Sequence, residues 1–226
     1  MNYPYLLLDA DNTLFDFDRA NRIAFQEVCA RCDIPDSDEL FHRYEEINGA
    51  LWTAFDRGEC SKDFLVVERF RRFLATIGLQ RDPVLCNDIH LHSLGQSTLL
   101  LPYAEEVCRQ LSADHRLYIV TNAVASVQRS RLSRSAIAPY ISGAFISEEA
   151  GASKPSAAYF DYVFAHIGGI TRSNCLLVGD SLSSDIRGAN NYGLPCCWYN
   201  PHGAARPEGL RIDQEIRDLR QLYDIV

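Results

Sequence analysis

Apolar and polar positions along the chain follow two regimes. In the first, short runs are apolar at nearly every position: Leu6-Leu7-Leu8 and Leu176-Leu177-Val178 are the clearest. A strand covered on both faces reads this way, and such strands alternating with helical segments predict a parallel sheet with helices on both sides. Strands are expected at Tyr5 to Leu8, Leu117 to Val120, Ala144 to Ile146, Cys175 to Val178 and Cys196 to Trp198. Each of the two clearest runs is followed within two residues by an aspartate, Asp9 and Asp180.

The second regime spans residues 16–99, where apolar positions recur at helical spacing and no strand pattern occurs. An all-helical insertion of about four helices is expected there. Asp36 with Glu39 marks a helix start, Gly49, Gly58 and Gly78 punctuate the segments, and Phe64, Val67, Glu68, Arg71 and Leu74 share one helical face. Beyond the insertion, Pro102 is expected to open a helix over Tyr103 to Leu111, since proline at a first helical position forfeits no hydrogen bond. Prolines and glycines between Pro201 and Pro207 mark a loop, and Gln214 to Tyr223 is expected as a peripheral helix.

At 226 residues the chain suits one α/β domain carrying a smaller insertion. Its hydrophobic fraction of 47% and charged fraction of 23% are those of an ordinary soluble protein. The formal net charge of -8, with arginines scattered rather than gathered, argues against a nucleic-acid polymer or an anionic membrane as partner. Apolar runs fall far short of the roughly 20 residues that span a bilayer. The start Met1-Asn2-Tyr3-Pro4 lacks a basic region followed by an apolar one, so a cytoplasmic location is expected. Eight cysteines without a secretion signal read as reduced thiols. Cys29 and Cys32 have redox or half-zinc spacing, but no second pair follows and they lie in a helical pattern, which marks them as incidental. His90 and His92, the one histidine pair near metal-ligand spacing, would point to different faces of a helix.

Candidate chemistry gathers where strands end or helices begin: Asp9 and Asp11, Thr121 with Asn122, Lys154, and Asp180 with Asp185. Taken singly, each has an ordinary explanation as a turn former, a helix cap or a solvated charge. Taken together they supply what phosphoryl transfer needs. A phosphate monoester repels nucleophiles, so its catalyst needs a cation such as Mg2+, a lysine and donors to spread the charge. Asp9 is the candidate nucleophile and Asp11 the candidate acid and base. Thr121, the Asn122 amide and Lys154 are the candidate phosphate-binding groups, and Asp9, Asp180 and Asp185 form an oxygen-only set suited to magnesium.

Asp9-Ala10-Asp11-Asn12-Thr13, Thr121-Asn122, Lys154-Pro155 and Gly179-Asp180 followed by Asp185 resemble, in order, the four motifs of the haloacid dehalogenase-like hydrolase superfamily. The resemblance implies a Rossmann-like core from residues 1–15 and 100–226 with a helical cap, residues 16–99, that closes over the substrate. It also implies Mg2+ held by Asp9, the Asp11 carbonyl, Asp180 and Asp185, directly or through water. A narrower likeness rests on Asn48-Gly49-Ala50-Leu51-Trp52, Ile146-Ser147-Glu148-Glu149 and Cys197-Trp198-Tyr199-Asn200 together with the first motif. These segments are similar to bacterial house-cleaning pyrimidine 5'-nucleotidases, which usually carry glutamate where this chain has Asn12. The implied substrate is a small phosphorylated metabolite, foremost a nucleoside monophosphate, hydrolysed through an aspartyl-phosphate.

In the cap, Asn48, Trp52 and Phe55 are candidates to meet the base, against the ordinary reading of large aromatics as packing between helices. A sugar phosphatase or phosphomutase would carry the same motifs. A dehalogenase would not need Asp11, and a silent phospho-ligand-binding protein would not need the full set.

Overall fold

The computed structural model describes residues 3–226; Met1 and Asn2, which begin the N-terminal stretch read above for a targeting signal, lie outside the described residues. In chain order, β1 (Tyr5–Leu8) is followed by α1 (Phe17–Arg31), α2 (Asp38–Asp56), α3 (Lys62–Thr76) and α4 (Pro83–Gln96). Next come α5 (Ala104–Leu111), β2 (Arg116–Thr121), α6 (Ala125–Arg134), β3 (Ile141–Ile146), the single turn α7 (Ser147–Ala150) and α8 (Ala157–Ala165). The chain closes with β4 (Cys175–Gly179), α9 (Arg187–Tyr192), β5 (Cys196–Tyr199) and β6 (Gln214–Ile216). Its contacts divide it into two compact units, one running up to Phe17 and resuming over Thr98–Val226, the other Asp18–Ser97.

In the first unit six strands form one parallel sheet in the order β3-β2-β1-β4-β5-β6, an α/β Rossmann-like fold. Side chains alternate across it, as strand geometry requires. Leu6, Leu8, Ile119 and Val178 enter the core on one face, and Leu7, Val120 and Leu177 enter the other. Burying such a side chain fully contributes about 1.5–3 kcal/mol, so β1 and β4 are fixed where they lie. Gln214 to Tyr223 is not a peripheral helix: Gln214–Ile216 pairs with β5 as the edge strand, and only Leu219–Asp224 coils, as a 3-10 turn. A strand of three residues is too short to show a period-2 signal. Pro102 also precedes rather than opens α5; Tyr103, with φ of 67°, turns the chain into the helix and packs under Arg220.

The second unit is built from α1 to α4 around Phe25, Val28, Tyr44, Phe70, Phe73 and Ile89. Ser37 rather than Asp36 caps α2, because Arg22 and Gln26 of α1 hold the Asp36 carboxylate at 2.6 and 3.2 Å. Gly49 lies inside α2 and breaks nothing, whereas Gly58 and Gly78 follow helix ends with φ of 75° and 66°. The buried face of α3 is Leu65, Val66, Arg69, Phe70, Phe73 and Leu74, so Phe64, 45% exposed, and Arg71 lie outside it. The face was misread because a charged residue occupies its centre.

Arg69 is 2% exposed and reaches all three other helices through a polar network. Its guanidinium donates to Asn48 Oδ1 on α2 at 3.1 Å and to Asn87 Oδ1 on α4 at 3.2 Å. It also lies 3.2 Å from His90 Nδ1, whose Nε2 lies 2.9 Å from Asn21 Oδ1 on α1. His90 Nδ1 therefore accepts and Nε2–H donates, and burial with the neighbouring Arg69 charge pushes the imidazole well below its ordinary proton affinity. Arg69→Leu strands the amide oxygens and the imidazole nitrogen, and urea unfolding should show a loss of about 3 kcal/mol, with Arg69→Lys retaining part of it.

Candidate active site

Strand order reverses at β1, whose neighbours are β2 on one side and β4 on the other. In open α/β sheets ligands bind outside the carboxyl ends of strands at such a point. The Asp9 amide donates to the Val178 carbonyl at 2.9 Å, extending the β1–β4 ladder one residue past Leu8. Thr121 ends β2, Asp180 follows the last residue of β4, and Lys154 lies in the loop between α7 and α8. Residues far apart in the chain thus converge because neighbouring strands stop at one level.

Lys154 is the hub. Its side chain is 1% exposed, and Nζ lies 2.6 Å from Asp9 Oδ1, 2.6 Å from Asp185 Oδ1 and 2.8 Å from the Val120 carbonyl. All three ammonium protons are therefore committed. Burial works to lower the lysine's proton affinity, but Asp185 and Asp9 overcome it and the net direction is up. Asp9 is raised well above the usual carboxylate range, chiefly by burial and further by Asp185 and Asp180, with Lys154 opposing. Burial and the charge of Asp185 push Asp180 up to about 7.

The residues around this cluster hold it in place. The Thr13 hydroxyl lies 3.4 Å from Asp9 Oδ2 and 3.2 Å from Asp180 Oδ1, while accepting from the Asp180 amide at 3.1 Å. Trp198 donates from its ring nitrogen to the Asp180 carbonyl at 2.9 Å. Ser181 donates its amide to Asp185 Oδ2 at 3.1 Å and caps the turn Leu182–Ile186 in which Asp185 sits. Gly179 is required by close approach: a Cβ there would lie 2.3 Å from the Asp185 carboxyl carbon. Asn122 uses its side chain to grip the lysine loop, accepting from the Lys154 amide at 3.0 Å and donating to the Lys154 carbonyl at 2.9 Å. Asn12 sits at φ of 58°, a left-handed position that asparagine tolerates better than most residues.

The structure therefore brings Asp9, Lys154, Asp180 and Asp185 together. Thr121, 2% exposed, accepts from the Ala123 amide at 3.2 Å. Asp11 is turned to a different partner: its carboxylate pairs with Arg131 on α6. Sequence reasoning passed over Arg131, although Val127, Gln128, Arg131 and Leu132 form one buried helical stripe that places an arginine among core positions. In the helical unit, Asn48 is buried and committed to Arg69, while Trp52 and Phe55 meet edge to face at 5.6 Å and stay half-buried.

Carboxylate oxygens of Asp9, Asp180 and Asp185 all lie within 4.8 Å of one another, so this cluster could hold a metal ion. Its donors are oxygens only, the set that a hard divalent cation such as magnesium takes.

A family model described as haloacid dehalogenase-like hydrolase matches residues 3–193. A protein of Bacillus subtilis named HAD-hydrolase YfnB is 34% identical over 99% of this chain and 95% of its own length. Its crystal structure, bound to magnesium, superposes with a TM-score of 0.95 over 100% of this chain and 99% of that one. The pyrimidine 5'-nucleotidase PynA of Streptococcus pneumoniae is 32% identical over 99% of this chain and 95% of its own. The pyrimidine 5'-nucleotidase YjjG of Escherichia coli is 29% identical over 100% and 99%.

The crowded carboxylates set a pH dependence. Asp180 lies at about 7 in the folded chain against an ordinary 3.8, so its contribution to stability is full below about pH 4 and is lost as pH rises through 7. A bound cation relieves the repulsion that ionisation creates. Magnesium chloride should therefore raise the melting temperature more at pH 8 than at pH 5.5, and Asp180→Asn should shrink that difference, both read by thermal denaturation.

Proposed function

The chain belongs to the haloacid dehalogenase-like hydrolase family, and on that footing we propose that it is a magnesium-dependent phosphomonoesterase that turns over nucleoside 5'-monophosphates, pyrimidine ones foremost, through an aspartyl-phosphate on Asp9. The observation that carries this reading is the buried Lys154 ammonium bridging Asp9, just past β1, and Asp185, in the turn that follows β4. Its link to Asp9 fixes the direction of one carboxylate oxygen and leaves the nucleophile little freedom to lose on attack.

In the proposed reaction the Asp9 carboxylate attacks phosphorus as the ester P–O bond breaks, and Asp11 passes a proton to the departing oxygen. Water then attacks the phosphorus of the acyl-phosphate, giving a proton to Asp11 and releasing inorganic phosphate with Asp9 restored. Thr121 and the amide of Asn122 receive phosphate oxygens, and Lys154 places positive charge beside the nucleophile. Magnesium, held by Asp9, Asp180, Asp185 and the Asp11 carbonyl, supplies charge against the anionic phosphate oxygens. Oxidising compartments would threaten the eight free thiols, so the cytoplasm is the proposed location.

The names of PynA and YjjG support the nucleotide class, and the half-buried rings of Trp52 and Phe55 offer faces suited to a base. A carbon-attacking dehalogenase would leave Asp11 and the three-carboxylate cluster without a task. A phosphomutase would return the phosphoryl group to a hydroxyl rather than to water.

Phosphate release should be measured with magnesium across pyrimidine and purine nucleoside monophosphates and sugar phosphates. Pyrimidine nucleotides should be turned over best, and Asp9→Asn should lower release by roughly 10³-fold or more while circular dichroism stays unchanged. Normal turnover in that variant would eliminate the aspartyl-phosphate mechanism.

A further inference from the structure

Arg131 is 1% exposed on its side chain, sits outside all four sequence motifs, and pairs with the carboxylate proposed as acid and base. Three contacts fix its place. Its guanidinium lies over the buried Phe15 ring, 4.4 Å from the centroid. Its Nη1 donates to Gln128 Oε1 one turn back on α6 at 3.3 Å and to Oδ1 of Asp11. Phe15 itself is tied to the Asp11 loop, accepting at its carbonyl from the Asn12 amide at 2.9 Å. A buried arginine is costly unless its site is well made, and an arginine held by packing below and a glutamine beside it is a poor candidate for a surface ion pair.

We infer that Arg131 is a positioning residue for Asp11: by holding Oδ1 it fixes the carboxyl rotamer and leaves Oδ2 as the oxygen that trades the proton. In the first half-reaction the proton on Oδ2 moves to the ester oxygen as the P–O bond breaks. The carboxylate left behind stays paired to the guanidinium. In the second, Oδ2 takes the proton of the attacking water as the acyl-phosphate opens. Because Arg131 stands on the helix that follows Thr121-Asn122, the same contact sets the acid and base against the phosphate-binding end of β2.

The inference rests on the phosphatase reading above, and its test separates the two. A residue that acts through a general acid matters most when the leaving group needs a proton, and 4-nitrophenolate, a stable anion, needs little. The quantity to measure is kcat/KM, which reports the steps up to phosphoryl transfer to Asp9, for the best alkyl ester of the nucleotide and sugar-phosphate panel and for 4-nitrophenyl phosphate.

Arg131→Met should lose about 30-fold on the alkyl ester and under about threefold on the aryl ester, roughly a tenfold change in their ratio, given the 10²–10⁴ typical of acid–base catalysis. Arg131→Lys, which keeps a cation on the same face, should move the ratio back toward the wild-type value. If Arg131→Met does not fold, Arg131→Lys and Arg131→Gln carry the same comparison. A folded variant that loses equally on both esters, or on neither, overturns the positioning role and assigns Arg131 to structure alone. A wild-type protein inert on every alkyl ester overturns the phosphatase reading and this inference with it.

Discussion

The ammonium of Lys154, buried between Asp9 and Asp185, is the contact that the site is organised around. Without it the carboxylate after β1 and the one in the turn after β4 would repel each other in a place that water hardly reaches. With it they face inward at fixed directions, and Asp180 is drawn into the same cluster through Thr13. The arrangement remains short of positive charge: one lysine stands against three carboxylates, and this repulsion adds to burial, the larger cause, in pushing Asp9 and Asp180 toward their protonated forms. A divalent cation is the natural complement to such a deficit.

The surrounding architecture follows from holding that cluster still. Gly179 admits the Asp185 carboxyl where any side chain would collide, and Trp198 reaches across from β5 to fix the Asp180 carbonyl. Asn122 clamps the lysine loop to the end of β2 by a reciprocal pair of hydrogen bonds. These contacts run between neighbours in a parallel sheet, so the apolar strands that make the core also set the spacing of the charges. The helical unit uses the same device differently: a buried arginine, Arg69, ties four helices by hydrogen bonds to neutral partners.

Much of the fold was legible because buried parallel strands are apolar at nearly every position, as β1, β4 and β5 are, whereas the edge strand β3, with Ser142 and Gly143 in its first half, showed the pattern only over Ala144 to Ile146. What stayed hidden has specific causes. The edge strand Gln214–Ile216 is too short to show a period, and Arg69 disguised the buried face of α3 by placing a charge at its centre. Tyr103 adopts the left-handed turn that starts α5, a choice no propensity of tyrosine foretells.

At the site, local sequence determined which residues stand at strand ends: Asp9 after β1, Thr121 closing β2 and Asp180 after β4 are set by where apolar runs stop. The family likeness, too, was carried by short motifs that need no structure to read. Pairing across the chain was decided only by the tertiary fold. Lys154 meets Asp9 across 145 positions of sequence and Arg131 meets Asp11 across 120, and Asn48 is committed to Arg69 rather than left open. The reason is physical: strand patterns report burial one residue at a time. Which buried charges share a partner depends on sheet order and helix rotation, quantities that belong to the packed chain as a whole.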